Sequence, residues 1–457
     1  MTDTAAATEN KMGTAPIGRL IISMSLPPVC SMFMQYSYNF VDSAFVARLG
    51  EKALTAVSLS FPVTSLMCSC SIGLGVGINV VIARSLGRKE QDKANEVVTL
   101  GILMAFVIGV LLNALTAVFM GGYFRSFTTD EEIYRLAMEY MSVCVFMQIP
   151  NMVHIAIQKV IQATGNMLAP MWFQIAGVVF NLVFDPILIF GIGPFPAMGI
   201  KGAALSTVLG FTFSMLLAFW VLLGTKQKVR MKIKGFRIDA TKMREIFSLG
   251  LPSFILNALN SFTVSFANLF LKPDMTAVAF FGAYFKAQHM IVMTVNGLIQ
   301  GCLPIMSFNF GARKPDRLKK AFHCGMFGAA GLMTLGAILL FAVPAGVLAL
   351  FDASEELLAI GIPAMRILVM GYTFNGLSML IATYLQAIGR VKDSMAVNMT
   401  RQLLLLVPMM WLLRQFMGMT GIWAAFPVTE LITLCMAYIL LRNSRSYIDE
   451  KMSGEKI

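Results

Sequence analysis

Asn181 and Asp185 stand four residues apart in an otherwise apolar run, so on a helix they share one face. Pro186 follows directly and has no N–H to offer, which frees the carbonyl of Leu182. A carboxylate, an amide oxygen and a loosened carbonyl together suit a proton or a small cation. Gln35, Tyr38 and Asp42 fall at i, i+3 and i+7, again one stripe. If Asp42 and Asp185 meet away from water, repulsion and desolvation make it costly to keep both charged. Binding a proton or Na+ relieves that cost, and such a site is what coupling to an ion gradient requires. A third stripe, Asn151, His154, Gln158 and Gln162, is spaced +3, +4 and +4. A continuous polar face inside an apolar segment reads either as contact with water or a small molecule, or as hydrogen bonding between helices.

The other ionisable groups within apolar segments are Lys286, His289, Arg366, Arg401 and Glu430, for which structural pairing is the first expectation. Helix 7 of the order below offers Asn257, Asn260 and Asn268. No HExxH, metal-like Cys/His cluster or Walker A motif is present. Gly73-Leu-Gly-Val-Gly77 lacks the Lys-Ser/Thr of a phosphate loop and reads as close helix packing. The seven cysteines form no CxxC pair and read as small apolar filler. No metal, no cofactor and no enzymatic chemistry are expected.

The elements that must hold these groups follow from composition. Of 457 residues 57% are hydrophobic, and 13% are charged, about half the share usual in a soluble domain. That excludes a water-soluble enzyme, a disordered chain and a disulfide-stapled secreted domain. Continuous apolar runs also exclude a β-barrel, whose strands alternate. Twelve apolar segments are predicted, near 17–47, 54–83, 97–121, 136–161, 168–191, 199–224, 246–271, 276–307, 321–350, 357–387, 394–416 and 420–441. Each is long enough to span a bilayer as a helix. The fold expected is therefore all-α and polytopic.

The chain repeats itself. Gly87-Arg-Lys-Glu-Gln-Asp-Lys93 matches Gly311-Ala-Arg-Lys-Pro-Asp-Arg317, and Gln162-Ala-Thr-Gly165 matches Gln386-Ala-Ile-Gly389, both at an offset of 224. Ser25-Leu-Pro27 matches Gly250-Leu-Pro252, and Gly199-Ile matches Gly421-Ile. Six helices per copy is an even number, so both copies enter the membrane the same way round. The expected architecture is two six-helix lobes related by a pseudo-two-fold axis along the membrane normal, a pattern typical of transporters. The boundaries expected are a tail at 1–16, lobes at 17–224 and 246–441, a basic linker at 225–245 and a second tail at 442–457. Of the 36 Lys and Arg, 26 fall on the side of both termini and 7 on the other, which predicts cytoplasmic termini. In the second copy Asp42 aligns with Ala267 or Asn268, Asn181 with Leu405 and Asp185 with Met409. The scaffold can thus be built without these groups, and the first copy carries something extra.

Val41-Asp-Ser-Ala-Phe-Val-Ala-Arg-Leu-Gly-Glu-Lys-Ala-Leu54, followed by Phe61-Pro62, resembles the first-helix signature of multidrug and toxic compound extrusion (MATE) transporters. Gly202-Ala-Ala-Leu-Ser-Thr207 and the Gly-x-x-x-x-Asp loops resemble further landmarks of that family, over about residues 19–442. The resemblance implies two lobes forming a V, alternating access, and export driven by H+ or Na+. It is nearest to the branch of DNA-damage-inducible and MepA-type members. There Asp42, Asn181, Asp185 and Thr207 match the cation or proton coupling site. Gln35, Tyr38, His154 and Gln158 match substrate-cavity positions, to which the stripe adds Asn151, and Pro27 matches a proline at which helix 1 bends. The NorM-type branch places acids in the second lobe, where Asn257, Asn260 and Asn375 stand here. The function expected is a multi-pass antiporter of the cytoplasmic membrane that exports organic, cationic and amphipathic drugs or toxic metabolites. The partners are the lipid bilayer and those small molecules, with no nucleic acid, and the chain acts as a monomer. The alternative is a flippase for lipid-linked oligosaccharide or another amphipathic lipid, which would want a cavity rich in arginine.

Overall fold

A computed structural model describes residues 10–232, 235–349 and 354–453. The remainder of the expected tails (1–9 and 454–457), linker residues 233 and 234, and residue 350 at the end of the ninth segment lie outside the described residues. Twelve helices are long and apolar enough to span a bilayer. They are α1 (Ile17–Ala47), α2 (Glu51–Gly87), α3 (Gln91–Phe127), α4 (Glu131–Ala163), α5 (Leu168–Phe190), α6 (Ile200–Gly224), α7 (Ala240–Leu271), α8 (Met275–Gly311), α9 (Pro315–Ala342), α10 (Glu355–Ile388), α11 (Val391–Met417) and α12 (Met419–Met452). No strand occurs among the described residues.

Local chemistry sets the helix ends. Asp130, Asp239 and Asp274 each precede a helix and accept two backbone N–H groups of its first turn, satisfying donors that the helix itself leaves open. Pro315 opens α9, where a missing N–H costs nothing. Large apolar side chains such as Phe327 (80% exposed) and Trp220 (67%) stand on the outside. Lipid satisfies such a surface and water does not.

The sequence repeat is a backbone repeat. α4 tightens to a 3₁₀ turn at Val145–Met147, and α10 does the same at Val369–Gly371. The left-handed residues Lys89 and Arg313, and Gly165 and Gly389, are matched pairs too. All three pairs keep the 224-residue offset. The copies diverge in α11, where a π-helical turn at Thr400–Leu404 precedes Pro408.

Helices α1–α6 pack among themselves, as do α7–α12, and the halves meet where α2 lies against α7 and α8, and α1 against α8. The seam is close-packed near the end that carries both termini. A Cβ on Gly77 would lie 2.1 Å from the carbonyl oxygen of Ile246, and one on Gly250 2.1 Å from that of Gly73. At the same end Arg84 donates to the carbonyls of Ala387 (3.0 and 2.6 Å) and Gln386 (3.2 Å), and Lys93 pairs with Glu245 at 3.3 Å.

Some boundaries differ from the expectation. The N-terminal tail is not free throughout: Lys11–Thr14 forms one helical turn, and Met12 is fully buried. Arg317 and Asn309 donate to the carbonyl of Met12, and Lys314 donates to that of Gly13. α7 starts within the expected linker, because Asp239 caps it there. α12 runs past 441, so most of the expected second tail is helix. α1 is one continuous helix through Pro27 and Pro28, with Ser31 donating to the carbonyl of Pro28 at 3.1 Å.

Candidate functional site

Within the first six helices, α1, α5 and α6 bring Asp42, Asn181, Asp185 and Thr207 into one cluster. The carboxyl of Asp42 lies against that of Asp185. Asp185 is fully buried and Asn181 is 4% exposed. The hydroxyl of Ser206 donates to Oδ1 of Asp185. Thr207 gives its proton to the carbonyl of Ala203 at 3.0 Å. It is therefore left to accept from Tyr38 Oη (3.3 Å) and Asn181 Nδ2 (3.4 Å). These bonds spend the nearby donors. Oδ1 of Asp42, Oδ1 of Asn181 and Oδ2 of Asp185 are buried and accept no hydrogen bond among the described residues. Neither acid takes part in an ion pair among the described residues. Three acceptor oxygens with no donor or countercharge make a site short of positive charge, which a proton or a small hard cation supplies.

The polar stripe of α4 divides. Gln158 donates to Gln174 (2.8 Å), and Gln174 donates to Gln35 (2.8 Å), a relay from α4 through α5 to α1. Asn151 is 1% exposed and donates to the Cys68 sulfur at 3.7 Å. His154 is 3% exposed, with Phe173 against its ring at 5.5 Å and no hydrogen-bond partner on either nitrogen among the described residues. The structure therefore holds Asn151 and His154 inside the first half among helices, rather than on an open cleft wall. Tyr38 touches the acid cluster through Thr207, so it joins that cluster to the relay's helix.

In the second half no acid stands at the positions matching Asp42 (Ala267 or Asn268) and Asp185 (Met409), and another network stands at depth. Arg401, on the π-helical turn, donates to Asn375 Oδ1 (3.2 Å), and Asn375 donates to Glu430 Oε1 (2.7 Å). Asn375 is the repeat counterpart of Asn151. Arg366 lies over the Phe341 ring at 5.4 Å, and the His289 ring stacks near Phe285.

Three participants escaped the sequence reading. Ser206 sits inside the Gly202–Thr207 motif beside Thr207. Gln174 precedes Asn181 by seven residues, on the same helical face, so its signal was present. Lys159, near the end of α4, is counted from sequence among the 26 cations on the side of the termini. Instead its side chain turns inward and is 6% exposed. It donates to Gln162 (3.0 Å) and to Gln300 on α8 (2.7 Å), across the seam between the halves.

Comparison with known proteins agrees with this architecture. The MatE family profile matches residues 27–187 and 249–412, one stretch in each half. A FAD transporter of Shewanella oneidensis is 28% identical over 436 residues, 94% of this chain and 95% of that one. The multidrug export protein MepA of Staphylococcus aureus is 24% identical over 440 residues, 95% and 96% of the two chains. Among solved structures, an outward-facing multidrug resistance MATE transporter superposes with a TM-score of 0.91 at 22% identity, covering 97% of this chain and 99% of that one. Twelve membrane helices in two six-helix lobes, a family match over most of the chain and kinship with exporters of small molecules make this chain a member of the MatE family of membrane transporters.

Proposed function

We propose that this chain is a secondary-active antiporter of the cytoplasmic membrane, exporting amphipathic organic compounds in exchange for H+ or Na+ by alternating access, with both termini in the cytoplasm. The observation that carries this reading is the set of three buried oxygens on Asp42, Asn181 and Asp185 that accept no hydrogen bond. Filling the site with a proton or Na+ removes the repulsion between two adjacent carboxylates. The packing of α1 against α5 and α6 then differs between the filled and empty states. A ligand moves a conformational equilibrium only through such a difference. Gln35 and Tyr38 share α1 with Asp42, so a shift of that helix is felt by the Gln158–Gln174–Gln35 relay. Prolines at 27 and 28 remove two hydrogen-bond donors from α1 and give it a place to flex. Kinship with MepA supports drugs as cargo, and kinship with the FAD transporter supports a flavin nucleotide as a second cargo class.

The test is dye efflux from cells, followed by ethidium counterflow in proteoliposomes with pH and Na+ gradients imposed separately. Asp42→Asn and Asp185→Asn are expected to lower gradient-driven efflux at least tenfold while the protein stays folded. Wild-type efflux in both variants refutes the assignment.

A further inference from the structure

At the seam between the lobes, near the end that carries both termini, lies a cavity of about 60 Å³. α2, α4, α7, α8, α10 and α11 all contribute to its wall. Amides and hydroxyls line it, among them Asn79, Gln162, Gln300, Thr383 and Gln386, and no Asp or Glu does. One charged side chain enters it, the ammonium of Lys159. We infer that Lys159 and the surrounding amides form a binding site for the anionic group, an organic phosphate or carboxylate, of an amphipathic compound carried by this protein.

Three observations converge. First, Lys159 is buried, yet among the described residues its bonds run only to the neutral amide oxygens of Gln162 and Gln300. An ammonium at membrane depth without a countercharge is expensive and marks function by default. The other deeply placed cations have settled partners. Arg84 saturates carbonyls at the end of α10, and Arg401 reaches Glu430 through Asn375.

Second, the fold does not need a lysine there. The repeat counterpart of Lys159 is Thr383, which lines the same cavity and donates to its own helix at Met379. The charge is thus an addition of the first half, as the two acids are.

Third, Gln300 spends its amide nitrogen on the thioether of Met32 at 3.3 Å, a weak acceptor. An oxyanion entering between α4 and α8 would take donors from both Lys159 and Gln300, replacing an amide oxygen and a sulfur by charge-assisted bonds. The amide oxygens hold the ammonium, and with it the seam, while no anion is present. On this inference the carried compound bears an anionic group, where a cationic one is expected from sequence.

The inference rests on the transport reading for its purpose but not for its test, which needs only equilibrium binding. Riboflavin and its 5′-monophosphate (FMN) differ by one phosphate. Full-length protein is placed in nanodiscs of phosphatidylcholine, and both dissociation constants are measured by quenching of flavin fluorescence. Dodecyl phosphate and dodecanol serve as a second matched pair, read by displacement of bound dye. The wild type is expected to prefer the phosphorylated member of a pair at least tenfold. Lys159→Gln is expected to bring that ratio close to one, and Lys159→Arg to keep most of it. Retained thermal stability shows that the Gln variant is folded. Repeating the measurement with phosphatidylglycerol in the nanodisc separates two sources of the anion. Competition with FMN that depends on Lys159 indicates a lipid headgroup, and its absence a soluble compound. No preference in the wild type for either pair, or a preference that survives Lys159→Gln, overturns the inference. Gradient-driven efflux reads loss of coupling and the equilibrium binding ratio reads loss of anion recognition, so the two failures are distinguished.

Discussion

Gly77→Ala puts a single methyl group into the tightest point of the seam. The added Cβ would sit 2.1 Å from the Ile246 carbonyl oxygen, 1.3 Å short of the 3.4 Å at which ordinary contact begins. The obstacle is backbone, and Gly250 N of the same helix lies 3.1 Å from that Cβ, so no rotamer change relieves it. α2 and α7 must separate. Overpacking of this kind costs about 1–3 kcal/mol. The cost falls on the state in which the seam is closed at the termini end. If the protein interconverts with a state in which this seam opens, the equilibrium should move by about 5–150-fold toward the opened state. Spin labels on Arg88 and Arg313, beside the seam at that end, should report the change by electron–electron double resonance as a second, longer distance population. Gly282→Ala is the control, because its Cβ would meet nothing within 4 Å on α8. It should leave the distances as they are. A folded Gly77→Ala protein with the wild-type distance distribution would refute the claim that backbone contact at this point holds the lobes together.

Two further outcomes follow from single side chains. Asn375→Leu removes the link between Arg401 and Glu430 and leaves a buried acid without its donor; it should cost about 3–5 kcal/mol if Glu430 stays charged, read as a lowered melting temperature, and adding Glu430→Gln should recover part of the loss. Asp239 caps α7 and pairs with Lys242 at 3.3 Å. The Lys242 side chain first, then the Thr241 N–H, hold its carboxyl below the ordinary value of 3.8. A depressed folded-state value means that the contribution is fully present above about pH 4 and fades as the pH falls through the lower folded value. Melting temperature against pH should therefore lose an acid-side slope below pH 4 in Asp239→Asn.

Much of this molecule was legible because membrane helices advertise themselves. Apolar length gave twelve spans, and paired motifs at an offset of 224 gave the repeat, which returns in the structure as matched 3₁₀ turns and left-handed residues. Asp42, Asn181 and Asp185 were conspicuous because charge and amide at depth are rare. What stayed hidden depended on direction. Lys159 lies one turn from the end of α4, where a lysine usually reaches outward, and nothing in its neighbours says that it turns toward Gln300. Asn151 and His154 belong to a polar face that sequence alone could not assign to a cleft or to a helix contact. In the structure Phe173 of α5 packs against the His154 ring. The π-helical turn that sets Arg401 toward Asn375 has no counterpart in the first half to announce it.

The asymmetry between the halves bears on which of them couples to an ion. Each half buries carboxyl at depth, but only the second half supplies its own countercharge, through Arg401 and Asn375 to Glu430. Glu430 also keeps one buried oxygen, Oε2, without a hydrogen-bond partner among the described residues, but its Oε1 accepts from Asn375, and Arg401 stands one link away. The first half holds two carboxyls side by side, gives them one serine donor, and leaves oxygens of both without partners. Its free energy changes most when a positive charge arrives, so on the proposed reading the driving ion acts there. Lys159 belongs to the same half but lies near the termini end, at the seam rather than within α1, α5 and α6. Acids and lysine are thus held apart on one lobe. A lobe that neutralises its acids at one depth while recognising an anion at another can make the two events compete through the tilt of α1 alone, because Met32 of α1 touches Gln300 and Asp42 of α1 touches Asp185.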